Sequence, residues 1–188
     1  FRTAGAFVAV SDPAVRQPTP VEPGKSPDGA SLAGIGLQPG KRIRIQADNP
    51  LFSDGREGRT STSGNVIVRQ EGFRLSCDSL DLTHAPLTPD GTRPDAPKGL
   101  MAGDLRRIEA KGKVAIVTPD TMVECDRVRY NMFNETIELD MDDPQRDVRV
   151  ILRDSGGKTR LLLARTGLVY DRKTDRMTPR AGGVMRMV

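Results

Sequence analysis

The sequence predicts an all-β protein built from stacked antiparallel β-hairpins. Apolar and polar residues alternate over short runs, which is typical of strands with one buried face. Residues that favour turns (Gly, Pro, Asp and Asn) separate these runs. The same hairpin pattern also recurs along the chain, and no stretch has the period of a convincing amphipathic helix.

The recurring hairpin is most regular over residues 114–130. Pro119-Asp120 supplies turn chemistry between two alternating runs. The apolar phase slips by one residue between Cys125 and Val128. We expect a bulge or bend at Asp126-Arg127, because it lets the strand keep its apolar side inward through the slip.

Copies of this hairpin indicate a repeat architecture. Residues 64–68 and 75–82 align with residues 112–116 and 123–130 at a single offset, and the phase slip is conserved in place. A weaker third copy covers residues 163–170. Units that cannot bury their own apolar face stack on their neighbours, so the copies are predicted to form successive rungs.

The composition divides the sequence into three predicted parts. Residues 1–40 are rich in Pro and Gly and are predicted to be an N-terminal linker or tail. Residues 41–178 form the predicted β-domain, and residues 179–188 a C-terminal tail. Within the domain, residues 84–104 hold four Pro and three Gly and predict a long loop. An insertion at a hairpin tip is favoured there over a functional flap.

Further strands are predicted from alternation between turn residues. They cover residues 43–47, 51–52, 136–140, 148–152 and 161–170, and a last strand begins at residue 177.

Composition argues against nucleic-acid binding. The net charge is only +4, charges of both signs are interleaved, and aromatic residues make up 4% of the chain with no Trp. A single-strand binder uses aromatic platforms for base stacking. No apolar run approaches the roughly 20 residues needed to cross a bilayer. The sequence begins at Phe1, so we expect a processed or trimmed form.

No residue pattern predicts catalysis, a metal or a cofactor. His84 is the only histidine and lies at the edge of the predicted loop beside Pro86, which argues against a histidine-based triad and excludes a histidine-rich metal site. Nucleophile-elbow and phosphate-loop motifs are absent from the sequence. Asp140, Asp142 and Asp143 cluster, but solvated charge at a strand end is favoured over a calcium site because the remaining ligand pattern is missing.

The two cysteines occupy equivalent positions in two copies of the repeat. Cys77 and Cys125 are interpreted first as small buried apolar residues. The alternative is a disulfide between rungs, which requires adjacent copies with Cα atoms within about 7 Å. An aspartate follows each cysteine and would raise the thiol pKa, which argues against a nucleophilic role.

The repeat resembles the LptA/OstA family of periplasmic lipopolysaccharide transport proteins. Its pattern is Gly-x-Val-x-Val/Ile, a turn, then Ala/Cys-Asp-x-Leu/Val-x-Leu/Tyr, and the resemblance covers about residues 41–178. The matching segments are residues 43–48, 64–68, 77–82, 112–116, 124–130, 137–144 and 168–171. The resemblance implies an open, twisted antiparallel β-jelly-roll and a location in the periplasm.

It further implies a non-enzymatic carrier or bridge for lipopolysaccharide. An apolar groove between two sheets would hold the acyl chains, and edge strands would join the protein end to end with copies of itself or with other Lpt-type envelope proteins. The Pro-rich residues 11–40 would suit a spacer from an inner-membrane anchor. The sequence fits either a soluble bridge or a membrane-tethered form.

Candidate site residues follow from the repeats and from the first strand. The headgroup candidates, for the phosphates of lipid A, are Lys41, Arg42 and Arg44. The groove candidates are the apolar repeat positions Val66, Val68, Leu75, Leu80, Leu82, Val114, Ile116, Val123, Val128, Tyr130, Leu163, Leu168 and Tyr170.

Two other functions compete with lipid transport. A structural β-module would self-assemble through its edge strands without lipid, and a closed, fully packed interior would favour it over an open groove. A carbohydrate-active β-sandwich enzyme would use carboxylates such as Glu138, Asp140 or Asp142. No carboxylate pair is placed by a motif at the separation that glycoside hydrolysis requires.

Overall fold

The all-β prediction is confirmed. The computed structural model describes residues 32, 35–38, 41–85, 105–154, 156–180 and 182–188. Every strand pairing in these ranges is antiparallel. The strands are β1 (Arg44–Gln46), β2 (Phe52–Asp54), β3 (Arg59–Gln70), β4 (Phe73–His84), β5 (Leu105–Val117), β6 (Thr121–Asn131), β7 (Thr136–Asp140), β8 (Asp147–Arg153), β9 (Thr159–Arg165), β10 (Leu168–Asp171), β11 (Arg176–Pro179) and β12 (Met185–Met187).

The twelve strands of the described residues pair as one continuous sheet. Register shifts divide it into two halves, which we call sheet 1 and sheet 2, and each successive pass of the chain contributes to both. The long strands β3 to β6 cross from one sheet to the other, and β1/β2, β7/β8, β9/β10 and β11/β12 do so as pairs of short strands. Sheet 1 contains β1, residues 66–70, 73–77, 114–117 and 121–125 of the long strands, β8, β9 and β12. Sheet 2 contains β2, residues 59–63, 79–84, 105–111 and 127–131, β7, β10 and β11.

The crossing points lie along a spine where β-bulges interrupt the register. On β5 the bulge is Gly112-Lys113, with φ of 77° and 47°, and it faces the single residue Asp126 of β6. On β3 the bulge is Gly64-Asn65, which faces Asp78. The predicted bulge at Asp126-Arg127 is therefore corrected: the extra residue belongs to the facing strand, where glycine adopts positive φ without steric cost.

At several crossing points, a polar side chain from one pass packs over the backbone of the next pass. A Cβ atom on Gly112 would lie 2.8 Å from the Cβ atom of Asp78 and closer still to its carboxylate. Asp126 instead accepts the backbone N–H of Asp142 at 3.1 Å. Close packing like that at Gly112 recurs at Asp48 over Gly64 and at Thr166 over Gly183. At Gly112 and Asp78, the Gly of one copy and the Asp of the preceding copy thus pack against each other.

A single hydrophobic core fills the space between the two sheets. It includes Leu32, Ile35 and Leu37, which are 0%, 1% and 5% exposed. The predicted linker, residues 1–40, spans these three positions, and the structure places them in the core instead. Residues 1–31, 33, 34, 39 and 40 lie outside the described part of the chain.

The structure describes most of the predicted C-terminal tail but only a small part of the predicted loop. The predicted tail over residues 179–188 contains β12, which pairs with β9 and buries Met185. Most of the predicted loop, residues 86–104, lies outside the described residues.

The third copy of the repeat is one residue longer at its crossing than the other copies. Leu162 and Ala164 face inward and are fully buried, whereas Leu163 between them is half-buried on the outer face. Ungapped alignment with the earlier copies placed Leu163 inward. An extra residue before Leu168 reverses the faces, as any one-residue slip in a strand does.

Candidate functional site

A small apolar cavity lies between the two sheets, at the end of the molecule that contains β1 and β2. Its volume is about 60 Å³. Both sheets contribute aliphatic and aromatic side chains to its wall, and His84 and Tyr130 are the only lining residues with a polar side-chain group within the described residues. The lining is Ile35, Gly36, Leu37, Ile43, Ile45, Val68, Phe73, Leu75, Leu80, Leu82, His84, Leu105, Ile108, Ile116, Val128, Tyr130 and Ile137.

About half of the predicted groove residues line this cavity. They are Val68, Leu75, Leu80, Leu82, Ile116, Val128 and Tyr130. Five others are buried in the same core away from the cavity: Val66, Val114, Val123, Leu168 and Tyr170. Leu163 is the exception, because it faces outward.

The cavity also has walls that the repeat did not indicate. Ile43, Ile45 and Ile137 lie on strands that had been predicted, and their alternation could have identified them. Leu105 and His84 border the predicted loop, where alternation gives no guidance.

Part of the wall comes from the segment ahead of β1. We call Leu32 and residues 35–38 the inner segment. Its turn is held by the Ile35 N–H, which donates to the Leu32 carbonyl at 2.8 Å. Gly36 (φ +121°) lies so close to sheet 2 that a Cβ atom there would be 3.2 Å from the Tyr130 ring.

A buried glutamine ties the inner segment to sheet 1. Gln70, 7% exposed at the end of β3, accepts the Gln38 N–H through its Oε1 atom at 2.7 Å. Its Nε2 atom donates to the carbonyls of Gln38 at 2.9 Å and Lys41 at 3.3 Å. The side chain thereby substitutes for a strand partner and keeps the segment between the sheets.

The three headgroup candidates have different surroundings. Lys41 forms an ion pair with Glu71 at 3.0 Å. Arg42 and Arg44 are exposed, and no carboxylate lies within ion-pair distance of either among the described residues. The structure adds two arginines that the sequence did not single out, since Arg44 is the cross-strand partner of Arg69, and Arg69 that of Arg74.

Comparison with known proteins identifies the family. The family model described as "LptA/(LptD N-terminal domain) LPS transport protein" matches residues 44–147, more than half of the chain. The chain belongs to this family. No curated protein matches it.

A solved structure has the same fold. The crystal structure of LptH, the LptA-homologous periplasmic component of the lipopolysaccharide transport device of Pseudomonas aeruginosa, matches with a TM-score of 0.55. The two sequences are 18% identical, and the match covers 79% of this chain and 94% of LptH. The LptA-like jelly roll is thus shared although few residues are.

The cysteines of this family member are free and buried. Cys77 lies on β4 and Cys125 on β6, and β5 runs between them. Two strand spacings amount to about 10 Å, beyond the reach of a disulfide. The rung-to-rung bridge considered above is therefore absent. Burial, with a smaller effect of Asp78, raises the pKa of the Cys77 thiol to about 12, and burial also raises the pKa of Cys125.

The aspartate cluster of this LptA-like domain is a site of ion pairing. Asp140, only 5% exposed, accepts hydrogen bonds from Arg129 at 2.5 Å and from Arg180 at 2.6 Å. Its hydrogen bond raises the pKa of the Arg129 guanidinium. Asp142 pairs with Arg127 at 3.1 Å. No group of side chains in the described ranges is suited to hold a metal ion.

The described residues include no helix with the length and apolar character to span a membrane.

Proposed function

We propose that this chain is a non-enzymatic carrier of lipopolysaccharide in the periplasm. The acyl chains would lie between sheet 1 and sheet 2. The observation that carries this proposal is an interior lined from both sheets by aliphatic side chains, in a domain of the LPS transport family. Such a lining suits acyl chains, because each methylene removed from water contributes about 0.8 kcal/mol.

The interior requires a rearrangement before it can hold a chain. A cavity of about 60 Å³ is well below the roughly 150 Å³ that accommodates benzene in a protein core. The inner segment occupies the remaining space with Leu32, Ile35 and Leu37. We therefore propose that lipid displaces the inner segment from between the sheets.

This exchange is close to balanced in transfer free energy. The side chains of Leu32, Ile35 and Leu37 carry four carbons each, about as many together as one medium-length acyl chain. Burial of the three side chains is worth about 5–9 kcal/mol, and burial of twelve methylenes about 10 kcal/mol. What decides between them is the anchor at Gln70 and the entropy released when the segment leaves the core.

Headgroup binding would use the basic residues at the start of β1. Arg42 and Arg44 are exposed beside the cavity wall formed by Ile43 and Ile45. Guanidinium groups pair with the phosphates of lipid A, and Lys41 would join them by exchanging its partner Glu71.

Edge strands would join the domain end to end with copies of itself or with other Lpt-type envelope proteins. At one end Leu51 and Phe52 of the β2 edge are 47% and 68% exposed. At the other, Val184 and Val188 flank β12 and are 65% and 72% exposed. Unlike edges on opposite ends favour head-to-tail pairing, which continues as an open filament. In a membrane-tethered form, the Pro-rich sequence ahead of Leu32 would connect the domain to its anchor.

The carrier proposal is tested by native mass spectrometry of the protein titrated with lipopolysaccharide and, in parallel, with a plain phospholipid. We expect a specific one-to-one adduct with lipopolysaccharide. If no adduct forms while the protein still self-associates, the carrier proposal fails and only the shared fold remains.

The filled interior favours a second candidate, the structural module that assembles without lipid. Gln70→Ala discriminates between the two functions, because it releases the inner segment without altering the side chains that the two sheets contribute to the cavity wall. A carrier should gain up to about tenfold in lipopolysaccharide affinity, the equivalent of one hydrogen-bonded anchor. A structural module should lose stability and gain no binding.

Thr62→Val is the matched control for this experiment. Thr62 is similarly buried and bonds the Asn49 carbonyl at 3.0 Å, but it does not hold the inner segment. Equal affinity gains in Gln70→Ala and Thr62→Val would contradict the displacement step.

A further inference from the structure

Three arginines face one another across neighbouring strands on the outer surface of sheet 1. Arg44 of β1 pairs in register with Arg69 of β3, and Arg69 with Arg74 of β4. All three are exposed. We call them the arginine ladder. Strands in a sheet are about 4.8 Å apart, so the ladder places three positive charges within about 10 Å.

The ladder is electrostatically unfavourable in the isolated protein. Like charges directly opposite each other destabilise a sheet. Among the residues that the structure describes, no carboxylate pairs with Arg44, Arg69 or Arg74. The nearest acidic residue in sequence, Glu71, pairs with Lys41 instead.

The outer surface of sheet 2 is different. Its acidic residues Asp81, Glu109 and Glu138 each lie within 4 Å of a basic side chain. Asp81, for example, pairs with Arg59 at 2.8 Å. These three acidic residues of sheet 2 are thus paired within the protein, whereas the charge on the ladder is available to a partner.

The same cross-strand row continues as an apolar surface. Beyond Arg74 the register leads to Val117, then to Met122, Ile151, Leu161 and Val188. Val117 is 43% exposed and Val188 72% exposed, and the residues between them are half-buried. One outer row of sheet 1 therefore carries three cations followed by five apolar side chains.

We propose that this row docks sheet 1 onto the surface of an anionic lipid bilayer. The ladder would pair with lipid phosphates while the apolar side chains enter the interfacial region. A soluble anion would leave the apolar half without a role. On a second copy of the chain, the acidic residues of the outer row of sheet 2 are already paired with basic side chains and are not available to the ladder. Arg44 is also a headgroup candidate, but a vesicle assay without lipopolysaccharide tests docking separately from lipid carriage between the sheets.

Vesicle co-sedimentation tests the ladder. Vesicles of phosphatidylglycerol mixed with phosphatidylcholine should bind the protein, and vesicles of phosphatidylcholine alone should not. Each arginine near an anionic surface is worth about a fivefold change in binding, so Arg44→Gln, Arg69→Gln and Arg74→Gln together should weaken it about 100-fold. Raising the salt concentration should weaken binding of the parent protein as well.

A charge-matched control separates the ladder from net charge. Arg56, Arg106 and Arg176 are also exposed, have no ion-pair partner in the described residues, and belong to sheet 2 or its turns. Their replacement by Gln removes the same three charges, and we expect it to change vesicle binding only a fewfold. An equal loss in both triple variants would overturn the proposal, as would an absence of binding to anionic vesicles.

Fluorescence tests the apolar half of the row. The chain has no Trp, so Val117→Trp introduces a single reporter at the centre of the row. Its emission should shift to the blue with anionic vesicles. Phe133→Trp, at an 82% exposed position in the turn after β6, should not shift. Identical behaviour of the two reporters would contradict docking through sheet 1.

Discussion

The Gly–Asp contact at the spine can be isolated by a single substitution, Gly112→Ala. The new methyl group would lie 2.8 Å from the Cβ atom of Asp78 and nearer to its carboxylate, where ordinary carbon contacts begin near 3.5 Å. Gly112 also has φ of +77°, a conformation that costs alanine about 1 kcal/mol or more. Two penalties therefore add at this position.

Gly157→Ala is a control that carries only one of the two penalties. Gly157 has the same φ of +77°, but a Cβ atom there would meet nothing within 4 Å. We expect Gly157→Ala to lower the free energy of unfolding by about 1 kcal/mol. Gly112→Ala should lower it by about 2–4 kcal/mol, because forced overlap in a packed site adds about 1–3 kcal/mol.

Urea denaturation followed by far-ultraviolet circular dichroism measures both variants. A difference of about 2 kcal/mol between them corresponds to about 4–8 °C in Tm for a domain of this size. Asp78→Gly should recover most of the additional loss in the Gly112→Ala background, since it removes the overlapping atoms. Equal destabilisation by Gly112→Ala and Gly157→Ala would refute the covering role of Asp78.

Three further predictions concern other parts of the domain. Cys77 and Cys125 should resist alkylation at pH 8 and react once urea unfolds the chain, because burial raises both thiol pKa values, that of Cys77 to about 12; rapid labelling of the native protein would contradict their burial. Asp140→Asn should cost about 3 kcal/mol in urea denaturation, since it leaves two partly buried guanidinium groups without their carboxylate. Asp142→Asn, at an exposed ion pair, should cost less than about 1 kcal/mol, and equal costs would remove the distinction. Phe52→Lys should reduce end-to-end association in analytical ultracentrifugation by placing charge on the β2 edge, and unchanged association would exclude that edge.

Alternation and repetition carried most of the fold prediction. Strand β7 was predicted over the same five residues. The role of the Asp154 carboxylate, which accepts the Gly156 and Lys158 N–H groups, was not predicted. The phase slip between Cys125 and Val128 is real, since both side chains are buried. A slip shows that two strands lose register, but it cannot show which one carries the extra residue. The register and the positive φ at Gly112 show that β5 carries the extra residue.

The inner segment could not be predicted from local pattern. Leu32, Ile35 and Leu37 lie in a Pro- and Gly-rich neighbourhood that by composition indicates an extended linker. Their burial depends on contacts distant in sequence, such as Gln70 to Gln38 and Gly36 to Tyr130. Polar side chains like Gln70, which replace a strand partner, have no period that a sequence can reveal.

The arrangement of hydrogen bonds indicates how such an interior can open. Within each sheet, backbone ladders join neighbouring passes, whereas the two sheets face each other through apolar side chains. Separation of the sheets about the spine would therefore cost apolar contact but leave the ladders intact. Under the proposed carrier function, an acyl chain that enters as the inner segment leaves would restore that contact and would thereby supply the free energy that its own entry requires. On this argument the covered spine at Gly112 stays fixed, and the exchange is confined to the region between Gln70 and Tyr130.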